Sequence, residues 1–418
     1  MQSLYYSTTR FVVVSGVKSV LAKAENNLLL LLNQFVRYSL LLLIWFLWCQ
    51  PVRGQFIESV NLGSRYTIKS EQLGEDRQYL VSLPQSYQQD DFYQNKRYPV
   101  LILLDADNNF RFASTMIGFM SAAETEQIPE MITVAVVNTN RTRDMTTGLG
   151  GQSNPFLAFL ERELLPQIDR QYRTLPYRVL VGHSLAGLFA LNCFLEQRAF
   201  HAYITIDPTI TWDQSGILKK AGPILRSNHS FTTKLFVAQA NNPFETGQHT
   251  GLRGKAFDTF QASLAGNHSR KFTYTHAFYG QEDHYSVPLP SLRDGLLFVF
   301  KGYKFPVDTF LSQGSTGIVE HYNRFVNQLG TSLAPPGKVI NQMGQFLLAS
   351  QAQLTKAQDL LTLNQTYYPA SAIVYSSLGD VYKAKKDTAR AIQYYQKSLS
   401  LQAANPKAKQ ELTGLAKP

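Results

Sequence analysis

Short apolar, β-branched runs alternate with longer segments of helical spacing over the middle of this chain. Gln78–Leu83, Val100–Leu104, Ile132–Val137 and Tyr177–Val181 read as strands, with an amphipathic helix over Phe156–Gln171. Ala202–Ile206, Lys234–Ala240 and Phe272–Phe278 continue the strand series, with helical segments between them. Leu188–Leu195 is long and unbroken enough for a buried helix, and Leu289–Phe300 reads as a closing one. Strands that are apolar along their whole length belong to sheets covered on both faces. The pattern therefore predicts the α/β class: a mostly parallel sheet with helices on both faces.

Both ends of the chain depart from this pattern. Arg37-Tyr38 precedes Ser39–Trp48, an apolar run too short to span a bilayer comfortably, and polar residues and Gly54 follow. Residues 1–54 read as a leader with a Sec signal peptide cut after Gly54, so the protein is expected to be exported, periplasmic or secreted. An uncleaved membrane anchor is the competing reading. The upstream run Leu28–Leu32 makes the leader unusually long, as a start codon assigned too early would. Cys49 has the wrong residues before it for a lipoprotein cleavage box.

At the other end, Tyr375, Leu378, Gly379, Tyr382, Ala391, Tyr395 and Ser398 repeat the spacing of a tetratricopeptide unit. A poorer copy precedes it at Met343-Gly344, Leu347, Ala357 and Pro369, and Gly344 and Gly379 stand 35 positions apart. The expected division is a leader at 1–54, an α/β domain at 55–310, a linker at 311–335 and a small all-α helical-repeat tail at 336–418. Two repeats are fewer than such arrays need, so the tail should lean on the α/β domain or on a second subunit. It serves as a strut or as the seat of a protein partner.

Composition narrows the function. At 418 residues with 44% hydrophobic content, the chain supports a large core and an accessory piece. The net charge of +10 invites a nucleic-acid reading, but the basic residues are scattered, with no aromatic-interleaved cluster, and no nucleic acid is expected. Once the leader is removed only Cys193 remains, which excludes an internal disulfide. No two of the eight histidines have metal-ligand spacing, and neither metal nor cofactor is expected.

The chemistry is concentrated at Gly182-His183-Ser184-Leu185-Ala186-Gly187, between a strand and a helix. A serine among small residues on such a turn is a nucleophile elbow. It lifts the Ser184 hydroxyl above the sheet and leaves the Leu185 N–H free to bind an oxyanion. The usual G-x-S-x-G spacing carries Ala186 at its last position. A serine needs a base, and His284 in the loop after Phe272–Phe278 has the best setting. For the carboxylate partner, Glu245 comes first, a few residues beyond Lys234–Ala240. Asp207, closing Ala202–Ile206, is the second choice and Glu282 the third, and a Ser–His pair without a carboxylate stays open. Arg141 and Arg143 follow a core strand, where an anionic substrate could be met, although an internal pair with Asp144 is the plainer role for them. Ser184 and His284 are only 100 positions apart, which leaves little room for a lid domain and implies an open site.

From about Tyr98 to Tyr303 the chain resembles the putative esterase family of α/β-hydrolases, which includes esterase D and the enterochelin and other siderophore-trilactone esterases. The resemblance rests on Arg97–Val100 through Leu103-Leu104-Asp105, on Asn140–Asp144, on Tyr177–Ser184 and on Glu282 through Ser291–Leu296. It implies an α/β-hydrolase with Ser184 as nucleophile, His284 as base and a second oxyanion donor near Asp105-Ala106, taken as Ala106. Where members often carry a glutamate after the late strand, this chain has Asn242. The expected activity is hydrolysis of a carboxylic ester through an acyl-enzyme, the substrate being a small-molecule or glycan ester such as a siderophore lactone. An acyltransferase using the same serine, or a non-catalytic periplasmic protein acting through its repeat, are the alternatives.

Overall fold

The computed structural model describes residues 23–24, 26–43, 61–88, 96–122, 126–147, 154–226, 232–242, 251–267 and 273–416. The chain divides into two compact units, residues 1–60 and 61–418. In the first, residues 26–43 form helix α1, with Leu28–Leu32 and Leu40–Leu43 exposed. Among the described residues no helix is long and apolar enough to cross a membrane. Residues 44–54 of the expected leader, Gly54 included, lie outside the described residues.

In the second unit eight strands form one sheet: β1 (Ser64–Ser70), β2 (Glu75–Ser82), β3 (Tyr98–Leu103), β4 (Ile132–Val136), β5 (Thr174–His183), β6 (Ala202–Ile206), β7 (Lys234–Ala240) and β8 (Thr273–Tyr279). Their order is β1-β2-β4-β3-β5-β6-β7-β8. β2 pairs antiparallel with β1 and β4, and every other pairing is parallel. The helices are α2 (Ala106–Ser121), α3 (Arg141–Thr146), α4 (Pro155–Phe159), α5 (Leu165–Gln171), α6 (Leu185–Leu195), α7 (Trp212–Arg226), α8 (Leu252–Ala265), α9 (Pro288–Val299), α10 (Val307–Leu329), α11 (Gly337–Leu348), α12 (Leu354–Tyr367), α13 (Ala372–Ala384), α14 (Thr388–Leu401) and α15 (Pro406–Leu415). A π-helical turn, Leu160–Leu164, joins α4 to α5. This is the expected α/β-hydrolase architecture; β1 is the strand that the apolar pattern did not announce.

The period-two alternation of the strands decides which side chain enters which core. Val100 and Ile102 of β3, Leu180 of β5 and Leu235 and Val237 of β7 join one cluster, packed under α4 to α8. Their neighbours Leu101, Leu103, Val179, Val181 and Phe236 join the other, under α2 and α9. That second core also takes in α10, α11 and α12. The stretch expected to be a linker, 311–335, is mostly the body of α10. Ile318, Tyr322, Phe325 and Leu329 recur at helical spacing along it and are buried with the sheet. Burial of that stripe gives this stretch the order that a linker lacks.

Beyond it, α11 and α12 form one helical hairpin and α13 and α14 a second. A Cβ at Gly344 would lie 2.5 Å from Leu361, and one at Gly379 would lie 2.5 Å from the Tyr395 ring. The two glycines thus occupy corresponding close approaches in successive hairpins.

Candidate active site

The C-terminal ends of β3, β5, β6, β7 and β8 converge on one edge of the sheet, and the loops that leave them carry the polar residues of the site. β5 ends at His183 and α6 begins at Leu185, so Ser184 alone makes the turn, at φ 62° and ψ −120°. Such a backbone is costly for a non-glycine residue and persists only where its surroundings impose it. Here a Cβ at Gly182 would lie 2.2 Å from the Ala186 carbonyl oxygen, and one at Gly187 3.1 Å from that of Ile206. The Ser184 N–H donates to Ile206 O (3.0 Å), which ties the elbow to the end of β6. The Ser184 hydroxyl itself lies 3.2 Å from the Thr209 hydroxyl.

His284 sits in a turn closed by Asp283, whose Oδ1 accepts the N–H groups of Tyr285 (2.8 Å) and Ser286 (2.9 Å). The carboxylate that meets it is Asp207. His284 Nδ1 and Asp207 Oδ2 are 2.6 Å apart, with the aspartate side chain fully buried. Burial alone would raise the Asp207 carboxyl. The His284 hydrogen bond, the Arg253 guanidinium and the Ala240 N–H outweigh it and hold the group below the usual aspartate range. An ionised Asp207 can only accept, so Nδ1 of His284 carries the proton and Nε2 offers a lone pair.

His183 stacks against His284, with ring centroids 4.5 Å apart. Burial, and then the neighbouring His284, pull the His183 imidazole down to about 4, so it stays neutral at physiological pH. It is a wall, not a second base.

The remaining expected residues fall into three groups. Leu185 and Ala106 are the first residues of α6 and α2. Their N–H groups belong to first turns, which lack intrahelical acceptors. β3 pairs directly with β5, and the Leu104 N–H donates to Val181 O (3.0 Å), so the two helix starts stand side by side. Arg141 does not reach outward. Its Nε (2.8 Å) and Nη2 (2.9 Å) grip the Asp105 carboxylate, and Nη2 also donates to His183 O (3.2 Å). Arg143 is held by Asp144 (Nε, 2.8 Å) and Glu75 (Nη2, 2.7 Å) beside the fully buried Arg77–Asp144 pair. Both arginines are tied to carboxylates while staying partly open to solvent, with side chains 34% and 40% exposed. Glu282 lends main-chain groups: its carbonyl accepts from the Asn241 N–H at 2.9 Å. Glu245 lies outside the described residues.

Three contributors escaped the sequence reading. Arg253 pairs with Asp207 from the first turn of α8. The Thr209 hydroxyl meets that of Ser184, and Asn138 donates to Asp105 Oδ1 at 2.7 Å. Their partners are 46, 25 and 33 positions away, and no local motif marks the pairs.

Comparison with known proteins matches residues 70–242 to the model of the putative esterase family. Ferri-bacillibactin esterase BesA of Bacillus subtilis is 32% identical over 149 residues, covering 29% of this chain and 52% of that protein. The siderophore triacetylfusarinine C esterase of Aspergillus fumigatus is 27% identical over 179 residues, 38% of this chain and 61% of that one. The chain thus spans between half and two thirds of the length of these curated relatives. Among solved structures, an IroE-like serine hydrolase from Shewanella oneidensis superposes with a TM-score of 0.64 at 28% identity, over 73% of this chain and 99% of that one.

Proposed function

We propose that this protein is a serine ester hydrolase that works through an acyl-enzyme on Ser184. The observation that carries the reading is the 2.6 Å contact between His284 and the buried Asp207, beside a serine elbow in a putative-esterase domain. Ser184 leaves Thr209 as ester binds, and its Oγ attacks the carbonyl while His284 Nε2 takes its proton. Asp207, in the role for which Glu245 was put first, stabilises the imidazolium. The N–H groups of Leu185 and Ala106 hold the tetrahedral oxyanion. His284 then protonates the departing alcohol, and water, activated by the same imidazole, frees the acid and restores Ser184.

The relatives' names favour a siderophore ester over an acylated glycan as the substrate. Tyr285 beside His284 is 87% exposed and Trp212 is 38% exposed, which suits an open cleft receiving a bulky ester. The protein is read as exported, and the paired hairpins of the tail as a tetratricopeptide-like strut or partner-binding surface.

Purified protein is to be assayed on a p-nitrophenyl ester, a siderophore trilactone and an acetylated or feruloylated glycan, with Ser184→Ala alongside. The trilactone should be the preferred ester, and Ser184→Ala should lower turnover by several orders of magnitude without loss of fold. A folded Ser184→Ala protein that keeps more than a few per cent of the activity overturns the serine mechanism.

A further inference from the structure

Asp207 has two carboxylate oxygens and divides them between an imidazole and a guanidinium. Oδ2 faces His284 Nδ1, while Oδ1 accepts from the Ala240 N–H (3.0 Å) and pairs with Arg253 Nη2. The same Nη2 donates to the main-chain carbonyl of Asp207 at 3.3 Å. One guanidinium therefore grips both the side chain and the backbone of this residue. The grip falls where it matters, because Asp207 follows β6 directly at φ 42°, a left-handed conformation that an L-residue other than glycine avoids.

Two further features set Arg253 apart from a surface arginine. It is the second residue of α8, where the helix dipole disfavours a cation, so its location has to be repaid by a specific partner. Its guanidinium also lies 5.7 Å from the ring of Phe257, one turn further on and fully buried, which restricts its rotamers. The side chain is only 13% exposed, so water screens its charge weakly.

We propose that Arg253 is a positioning residue for the site, acting on His284 through Asp207: it fixes Oδ2 toward the imidazole and takes up part of the carboxylate charge. An aspartate left wholly to the histidine would stabilise the imidazolium more strongly, and His284 would hold its proton to higher pH. With Arg253 in place part of the carboxylate charge is taken up by the guanidinium, and the imidazole meets an oxygen whose direction is fixed. Among the described residues, the other groups facing His284 are His183 from the β5 end, Asp283 and Tyr285 from its own turn, and Asp105 beyond His183. His183 stays neutral, and none of these touches Asp207 Oδ1. The balance at that oxygen belongs to Arg253 and Ala240.

The inference rests on the esterase reading for its use in catalysis, but its physical core is testable without any ester. The ring titration of His284 is to be followed by NMR in the full chain, assigned with His284→Gln, for the wild type, Arg253→Gln and Arg253→Lys. Glutamine keeps the length and a hydrogen-bond donor without the charge. It should move the His284 midpoint up by about half a unit to one unit, whereas lysine should leave it within about 0.2 unit. In parallel, the acid limb of kcat/KM on a p-nitrophenyl ester should move the same way in Arg253→Gln and stay in place in Arg253→Lys. Loss of the fork should lower kcat about 10-fold in both variants. An unmoved midpoint in Arg253→Gln, or equal movement in both variants, overturns the proposal. Absence of Ser184-dependent turnover alongside a shifted midpoint would overturn the esterase reading alone. If Arg253→Gln does not fold, Arg253→Lys decides: a shifted midpoint there removes charge sharing.

Discussion

Two aspartates at the same edge of the sheet are built alike and end differently. Asp105 lies just beyond β3 at φ 57°, and Asp207 just beyond β6 at φ 42°. Each is buried, and each is gripped by an arginine that also reaches a main-chain carbonyl, His183 O for Arg141 and Asp207 O for Arg253. Asp105 spends its oxygens on Arg141 and Asn138, donors that do not titrate near neutrality. Asp207 spends one on His284. The first aspartate holds a turn, and the second holds a turn and meets an imidazole. A strained, arginine-clamped carboxylate is thus a general device for shaping a loop at a strand end; it acquires chemistry only where one oxygen is given to an imidazole.

The largest effect that tests this contrast belongs to Asp207→Asn. The amide keeps the shape but loses the charge, so turnover should fall about four orders of magnitude with KM little changed. A loss below about 10-fold, in folded protein, would reduce Asp207 to the rank of Asp105. Arg141→Leu comes next. It frees the turn that presents the Ala106 N–H, and misplacing one oxyanion donor should lower kcat about 10- to 100-fold. Unlike Arg253→Gln, it should leave the acid limb of the pH–rate profile where it is. A shifted limb would mean that the two clamps do the same job.

The smallest effect concerns His183, which joins the two clamps: its carbonyl accepts from Arg141 and its ring leans on His284. Its imidazole is held at about 4, against 6.5 when unperturbed. The unfolded chain therefore gains this proton first as pH falls, and the stability that neutral His183 contributes is lost between about pH 6.5 and 4. The ceiling is about 3 kcal/mol, less for its partial exposure. Urea midpoints at pH 7.5 and pH 4.5 should differ less in His183→Asn than in the wild type, and an unchanged difference would contradict the assignment of a neutral, buried ring.

What could be read from the sequence, and what could not, follows from distance along the chain. The strands β3, β4 and β6 are short and buried along their whole length, so their cover on both faces was visible in their apolar sequences, and the tight small-residue turn around Ser184 needs only local sterics. His284 was identifiable because it follows the last strand. The acid was harder. Asp207 ends β6 with no spacer, while Asn241 and Asn242 end β7, and the choice depends on which strand end lies under the histidine. The fold answers that through the Asp207 N–H to Ala238 O and the Ala240 N–H to Asp207 Oδ1, contacts that no spacing rule encodes. Arg253 approaches from a separate helix and left no local trace. The stretch 311–335 is the reverse case. Its stripe of Ile318, Tyr322, Phe325 and Leu329 has helical spacing in the sequence itself, against the expectation of a linker there.

That stripe has a consequence for how the protein is made. The core beneath α2 and α9 joins Leu101 of β3 to Leu360 of α12, 259 positions later (360 − 101). Contacts of such separation are the slowest to form, because a long loop must close before they reward it. During synthesis this face, which α2 can begin to cover early, is therefore closed only once α9 to α12 have been made, well after β5, Ser184 and α6. The turn at Ser184 is thus made long before the hydrophobic wall that closes this face.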